Sequence, residues 1–169
     1  MRANQSTQPI LNLSDIPLTD HGHDPDFAAK LGQFGPLIGL KQLGCRLVIV
    51  SPGKKAWPYH AHHANEELFI ILEGSGTLRL GGAEHPVKAG DVIACPAGGP
   101  ETAHQLVNTG EAELRYMAIS TMMSPEVCEY PDSGKFAVIS GSAPGGDKGK
   151  RRTWYVGRAE NSLDYWDGE

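Results

Sequence analysis

The chain has 169 residues, of which 40% are hydrophobic and 21% charged, and a formal net charge of −5 at pH 7. That length suits a single domain with a full core. The acidic balance argues against nucleic acid as a partner, since phosphate backbones are held by basic surfaces. No apolar run approaches the ~20 residues needed to cross a bilayer, so no membrane partner is expected.

Twenty-one glycines and twelve prolines suit a fold of short strands and many turns. Cys45, Cys95 and Cys128 are odd in number, widely spaced and form no CxxC pair, which favours a reducing, cytoplasmic setting over a disulfide framework. The segment Met1–Pro9 is polar and has no apolar stretch of the kind a secretion signal carries.

Residues 1–36 read as an N-terminal arm, in which Asp15, Asp20, Asp24 and Asp26 alternate with His21, His23 and prolines. The stretch from Pro9 to Leu13 suggests an edge strand, one that a partner subunit's sheet could take up. From residue 37 strand signals follow at short intervals. Leu43–Val50 is stopped by Ser51-Pro52-Gly53, and Ala56 leads to His62. Leu68–Leu72 is a continuous apolar run ended by Glu73-Gly74-Ser75-Gly76. Thr77–Leu80 alternates and ends at Gly81-Gly82, a hairpin turn. Glu84–Lys88, Asp91–Cys95, Gln105–Val107 and Leu114–Ser120 continue the series to residue 122, and no helical period stands out. Such spacing predicts an all-β sandwich or barrel over residues 37–122. Residues 123–169 form a C-terminal extension with a strand at Phe136–Ser140, a basic run Lys148, Lys150, Arg151 and Arg152, and an aromatic end at Trp154, Tyr155, Tyr165 and Trp166. It is too apolar for pure disorder and is expected to pack on the barrel or on a partner in a homodimer.

The chemistry concentrates in one stretch. His60 and His62 are two residues apart, so a strand would turn both imidazoles to one face. A carboxylate follows at Glu66 or Glu67, and His104 lies beyond a Gly/Pro-rich loop. The ordinary alternative is a set of unrelated surface or core histidines. Three histidines and a carboxylate at these spacings make that the weaker reading. The set suits one divalent transition metal, Mn, Fe, Ni, Co, Cu or Zn, without choosing among them.

Here the chain resembles the cupin superfamily, in its small single-domain form. Its first motif is matched by His60-x-His62-x4-Glu67-x6-Gly74, with Gly53 one residue early. The second is matched by Gly90-x5-Pro96-x-Gly98 and by His104-x3-Asn108, with three extra residues between Gly98 and His104. The resemblance covers Gly53 to Asn108 and implies a double-stranded β-helix, a jelly-roll barrel. It also implies His60, His62, Glu67 and His104 as metal ligands. Both gaps select Glu67, and strand alternation turns Glu66 outward while Phe69 and Ile71 share the inward face. The extra residues before His104 sit at the expected barrel mouth, where they would move His104 or reshape access. His63 points away from the ligand face, and Cys95 reads as a buried strand residue.

The expected function is metal Lewis-acid chemistry on a small polar substrate, with the sugar or sugar-phosphate isomerases and epimerases of the mannose-6-phosphate isomerase-like branch as the nearest resemblance. Glu66, or a water, would move the proton. One alternative is an Fe(II)- or Ni(II)-dependent dioxygenase with the same ligands. Another is a non-catalytic ligand-binding or sensor module, since fold does not fix function. The Lys148–Arg152 run is read first as a solvated loop and second as a phosphate site.

Overall fold

In the computed structural model, residues 9–23 and 25–169 are described; the first eight residues of the expected arm, and Asp24 within it, lie outside the described residues. Thirteen strands run through them: β1 (Thr19–His23), β2 (Phe27–Gln33), β3 (Leu43–Val50), β4 (Ala61–His62), β5 (Glu67–Glu73), β6 (Ser75–Leu80), β7 (Ala83–Lys88), β8 (Val92–Cys95), β9 (His104–Val107), β10 (Leu114–Thr121), β11 (Glu126–Tyr130), β12 (Lys135–Ser140) and β13 (Thr153–Gly157). Only short 3-10 turns join them among the described residues.

The strands form antiparallel sheets in the orders β1-β2-β3-β10-β5-β8, β7-β6-β9 and β13-β12-β11-β4. The first two enclose the main core. Alternation puts Val48 and Val50 of β3, Phe69 and Ile71 of β5 and Tyr116 of β10 on the inner face, where all are buried. Glu67 and Arg46 belong to the same inward set, two residues before Phe69 and Val48 respectively. Residues of opposite parity face outward and form a second core: Cys45 and Leu47 pack with Ile16, Phe34, Leu72, Met117 and Ile119. β3 and β5 are therefore apolar on both faces, which explains the unbroken run Leu68–Leu72.

The proposed edge strand at Pro9–Leu13 is not one. Asn12 caps a 3-10 turn, Leu13–Asp15, by accepting from the Ser14 N–H at 2.9 Å, and Leu11, Leu13 and Ile16 cover the outer face of the large sheet. The strands at 19–23 and 27–33 extend that sheet, with Ala29 opposite Val50 and Leu31 opposite Val48. At the other end of the chain, β11 pairs with β4 so that Cys128 lies opposite His62. The last residues expose their aromatic groups: Trp154 is 54%, Tyr165 84% and Trp166 71% accessible.

Two motif residues serve the backbone. Gly74 turns with φ +82°, and a Cβ there would collide with the Glu113 carbonyl. Asn108 is fully buried; its Nδ2 donates to the carbonyls of Val50 at 2.8 Å and Ala112 at 2.9 Å, and its Oδ1 accepts from Gly110 N–H at 3.0 Å. Asn108→Ala would leave the buried Val50 carbonyl without this partner at about 1–3 kcal/mol, and the partly buried bonds to Ala112 and Gly110 would add less each. Chemical denaturation is expected to show a loss of about 2–4 kcal/mol, with the histidine cluster intact in the fraction that remains folded; an unchanged midpoint would contradict this role.

Candidate metal centre

His60 and His104 are joined by a backbone bridge, His60 N–H to His104 O at 3.2 Å and His104 N–H to His60 O at 2.8 Å. His62 follows on β4 and Glu67 opens β5. The structure thereby brings His60, His62, Glu67 and His104 together, with one ligand atom from each lying within 4.8 Å of all the others. His104 Nε2 is 3.0 Å from Glu67 Oε2, and His62 Nε2 is 3.8 Å from Glu67 Oε1.

The outer ring nitrogens are all engaged. His60 Nδ1 meets the Pro58 carbonyl at 2.8 Å, and His104 Nδ1 meets the Thr102 carbonyl at 3.3 Å. His62 Nδ1 lies 3.4 Å from Glu126 Oε2 and 3.4 Å from Cys128 Sγ. Each imidazole is oriented through Nδ1 and keeps Nε2 for the centre, the arrangement that metal-binding histidines require. Glu126 is itself buried and accepts from the N–H groups of Ala64 and Val127, both at 2.9 Å, and from the Asn65 side chain. Asn65 Oδ1 in turn accepts from Met123 N–H at 2.7 Å and the Thr121 hydroxyl at 3.0 Å.

The electrostatics follow from these contacts. Burial and the neighbouring His62 and His104 push His60 down to about 4. Burial would also lower His62, but Cys128 and Glu126 on Nδ1, with Glu67, outweigh it and raise the ring to about 10. Burial would raise Glu67; the hydrogen bond from His104 and the nearby His62 and His60 reverse this and hold it at about 2. A cation entering the centre would meet a carboxylate already ionised and would have to displace a proton from His62, so its binding should weaken as pH falls.

Glu66 does not join this group. It is exposed and lines a second groove with Leu43, Ala94 and Pro96, which meets the cavity only at Glu67 and Ser120, because strand alternation begins at Glu67 and sends its neighbour outward. The extra residues before His104 fold into a 3-10 turn, Pro100–Thr102, whose last carbonyl orients His104. His63 is exposed and pairs with Glu129 at 3.0 Å, and Cys95 is a buried core thiol pushed up to about 12 by burial.

The centre opens into a cavity of about 590 Å³. Its wall includes Phe69, Tyr116, Trp57 and Tyr130, and also Arg46, Gln105, His21, Lys148 and Arg151. Trp57 thus reaches the cavity, whereas regular alternation through residues 56–62 would have turned it away; β4 begins only at Ala61. Tyr59 does turn away, its hydroxyl accepting from Gly82 N–H at 3.0 Å. Sequence spacing carried no signal for Glu126, Cys128 or Arg46, which reach the site only through strand pairing.

Residues 46–120 match the family profile described as "Cupin domain". The chain carries a cupin domain. This cupin is similar to the crystal structure of a sugar phosphate isomerase of the cupin superfamily from Silicibacter pomeroyi, with a TM-score of 0.74 and 27% identity over 94% of this chain and 98% of that one. A crystal structure from Acidithiobacillus ferrooxidans shares the fold at a TM-score of 0.74, with 24% identity over 92% of this chain and 95% of that one. Auxin-binding protein 1 of Arabidopsis thaliana is 30% identical over 132 residues, covering 73% of this chain. The cupin spans 64% of that relative's length and about half of two further curated relatives. No helix among the described residues is long and apolar enough to cross a membrane.

Glu126→Gln would remove the charge behind His62 while keeping its shape. Affinity for a divalent transition metal is expected to fall about 10- to 100-fold, as for other outer-shell partners. Competition against a chelating dye measures this, and unchanged affinity would detach Glu126 from the centre.

Proposed function

We propose that this cupin holds one divalent transition metal on His60, His62, Glu67 and His104 and uses it in isomerase-type chemistry on a small polar substrate, a sugar or sugar phosphate. The observation that carries the reading is three imidazoles tethered through Nδ1, with an ionised carboxylate between them, at the base of a cavity open to a small molecule. The donor set, three nitrogens and one oxygen, fits such an ion. When bound, the metal supplies Lewis-acid polarisation of a substrate carbonyl.

The chain's own groups do the rest. Phe69 stands edge-on to His104 at 5.6 Å between ring centroids and Tyr130 stacks on His60 at 6.0 Å, so ring faces screen the ligands from bulk water. Gln105, held by Arg79 and by the Trp57 carbonyl at 2.8 Å, offers a fixed amide on the wall. Proton transfer falls to water or to His21, the one imidazole on the wall outside the ligand set among the described residues. Glu66 is not among the residues that line the cavity, which supports assigning the proton transfer elsewhere.

Solvent-exchange NMR tests this reading. Metal-loaded protein in D₂O with a panel of aldoses, ketoses and their phosphates is expected to place deuterium on the carbon next to the carbonyl. Glu66→Gln should exchange as fast as the unsubstituted protein. Absence of exchange with every panel member would favour the second reading, a non-catalytic ligand-binding module. The likeness to an auxin-binding protein supports that alternative.

The exposed aromatic end supports a homodimer that covers it, and the free, buried thiols suit a reducing cytoplasm. Light scattering is expected to give twice the 18.1 kDa chain mass, and a monomer mass would overturn the dimer.

A further inference from the structure

The loop between β12 and β13 is a strap that carries the basic run back to the centre. Gln33 Nε2 donates to the Gly145 carbonyl at 2.7 Å, which fastens the strap to β2 of the large sheet. Gly145 has φ +74°, and the space a Cβ would need is filled by the Arg46 guanidinium. Pro144, Gly145, Lys148 and Arg151 consequently line the same cavity as His60, His62, Glu67 and His104. The basic run is therefore not merely a solvated loop.

The charge on that wall is lopsided. Arg46, Lys148 and Arg151 face it, and the only carboxylate there among the described residues is Glu67, which the histidines already hold. Four cations elsewhere have acidic partners, Arg79 with Asp132 at 2.8 Å, Arg115 with Glu73 at 3.1 Å, Lys88 with Asp91 at 3.8 Å and Lys150 with Asp147 at 3.9 Å, while others, such as Lys30 and Lys54, have none among the described residues. No such ion pair is made by Arg46, Lys148 or Arg151 among the described residues. Arg46 instead sits among the inner-face residues with its guanidinium 5.8 Å from the centre of the Trp57 ring. Arg151 rests 4.3 Å from the Trp154 ring centre, and its Nε is buried without a hydrogen-bond partner. Arg46 and Arg151 are half-buried and Lys148 is exposed, so the two guanidinium groups are partly desolvated without a carboxylate in an ion pair, which favours an anion entering the cavity.

We infer that Arg46, Lys148 and Arg151 form an oxyanion subsite that holds the phosphate group of a phosphorylated substrate while its hydroxyl and carbonyl oxygens reach the metal centre. This rests on the proposed function and narrows it to the phosphorylated member of the substrate class. Guanidinium groups match phosphate oxygens in pairs, and three cations suit a dianion better than a single carboxylate. A cavity of about 590 Å³ is of the size that small-molecule sites commonly have.

Isothermal titration of metal-loaded protein with inorganic phosphate, acetate, a hexose and the same hexose phosphate tests the subsite. Phosphate and the hexose phosphate are expected to bind, acetate and the free hexose far more weakly. Lys148→Gln with Arg151→Gln lies on the strap and spares the core. It should weaken phosphate at least about 10-fold, the loss of one or more charge-assisted hydrogen bonds, with metal content unchanged. Arg46→Gln should do the same from β3, against which the strap packs. Metal-stripped protein should still bind phosphate, which separates this subsite from direct coordination. Equal phosphate affinity in both variants and the unsubstituted protein, or acetate binding as tightly as phosphate, would overturn the inference. Deuterium exchange into an unphosphorylated sugar, unaffected by the strap variants, would sink the subsite and leave the isomerase reading standing. Phosphate binding lost in the strap variants, with no exchange into any sugar, would do the reverse.

Discussion

Two backbone hydrogen bonds between His60 and His104 are what the rest of the site depends on. They join segments 44 positions apart in the chain and set both imidazoles at the base of the cavity. Each flanking segment then supplies its own tether: the Pro58 carbonyl turns His60, and the Thr102 carbonyl turns His104. Because the bonds belong to the backbone, they survive substitution of either ring. That separates the folding of the barrel from the chemistry of the centre.

His62 is held differently, and more expensively. Its outer nitrogen faces a buried carboxylate, Glu126, which would be intolerable without the amides of Ala64 and Val127 and the Asn65 side chain. A network of this kind is favourable only when every member is satisfied. It recruits β11, well outside the matched cupin segment, into the support of the centre. The two ends of the chain therefore do more than cover the barrel: one lays strands beside β3, and the other supports His62 and brings cations to the cavity wall.

Strands with strong apolar signals were legible in the sequence. Leu43–Val50 and the run around Leu68–Leu72 appear as β3 and β5 because both of their faces are buried. Four strands were not legible. β1 reads Thr-Asp-His-Gly-His and is exposed throughout, so burial left no pattern in it. β2 is interrupted by Lys30 and Gly32, while β11 and β13 are short and mix polar with aromatic residues. The four clustered residues were legible because their spacing is dictated by two local strand geometries. Glu126, Cys128 and Arg46 were not, since their place follows from pairing across distant strands. The basic run was visible, but its destination depended on Gly145 and the strap that crosses to β2. Glu66 was singled out for its nearness in sequence to Glu67, and the alternation that turns it outward was legible there too.

The central claim is that His60, His62, Glu67 and His104 are a metal centre. Its most direct test is elemental analysis of untagged protein purified without chelators under anaerobic conditions, across several metal supplements. One equivalent of a divalent transition metal per chain, retained through desalting, is expected. Protein that is folded and metal-free in every preparation, and that takes up none on reconstitution, would contradict it.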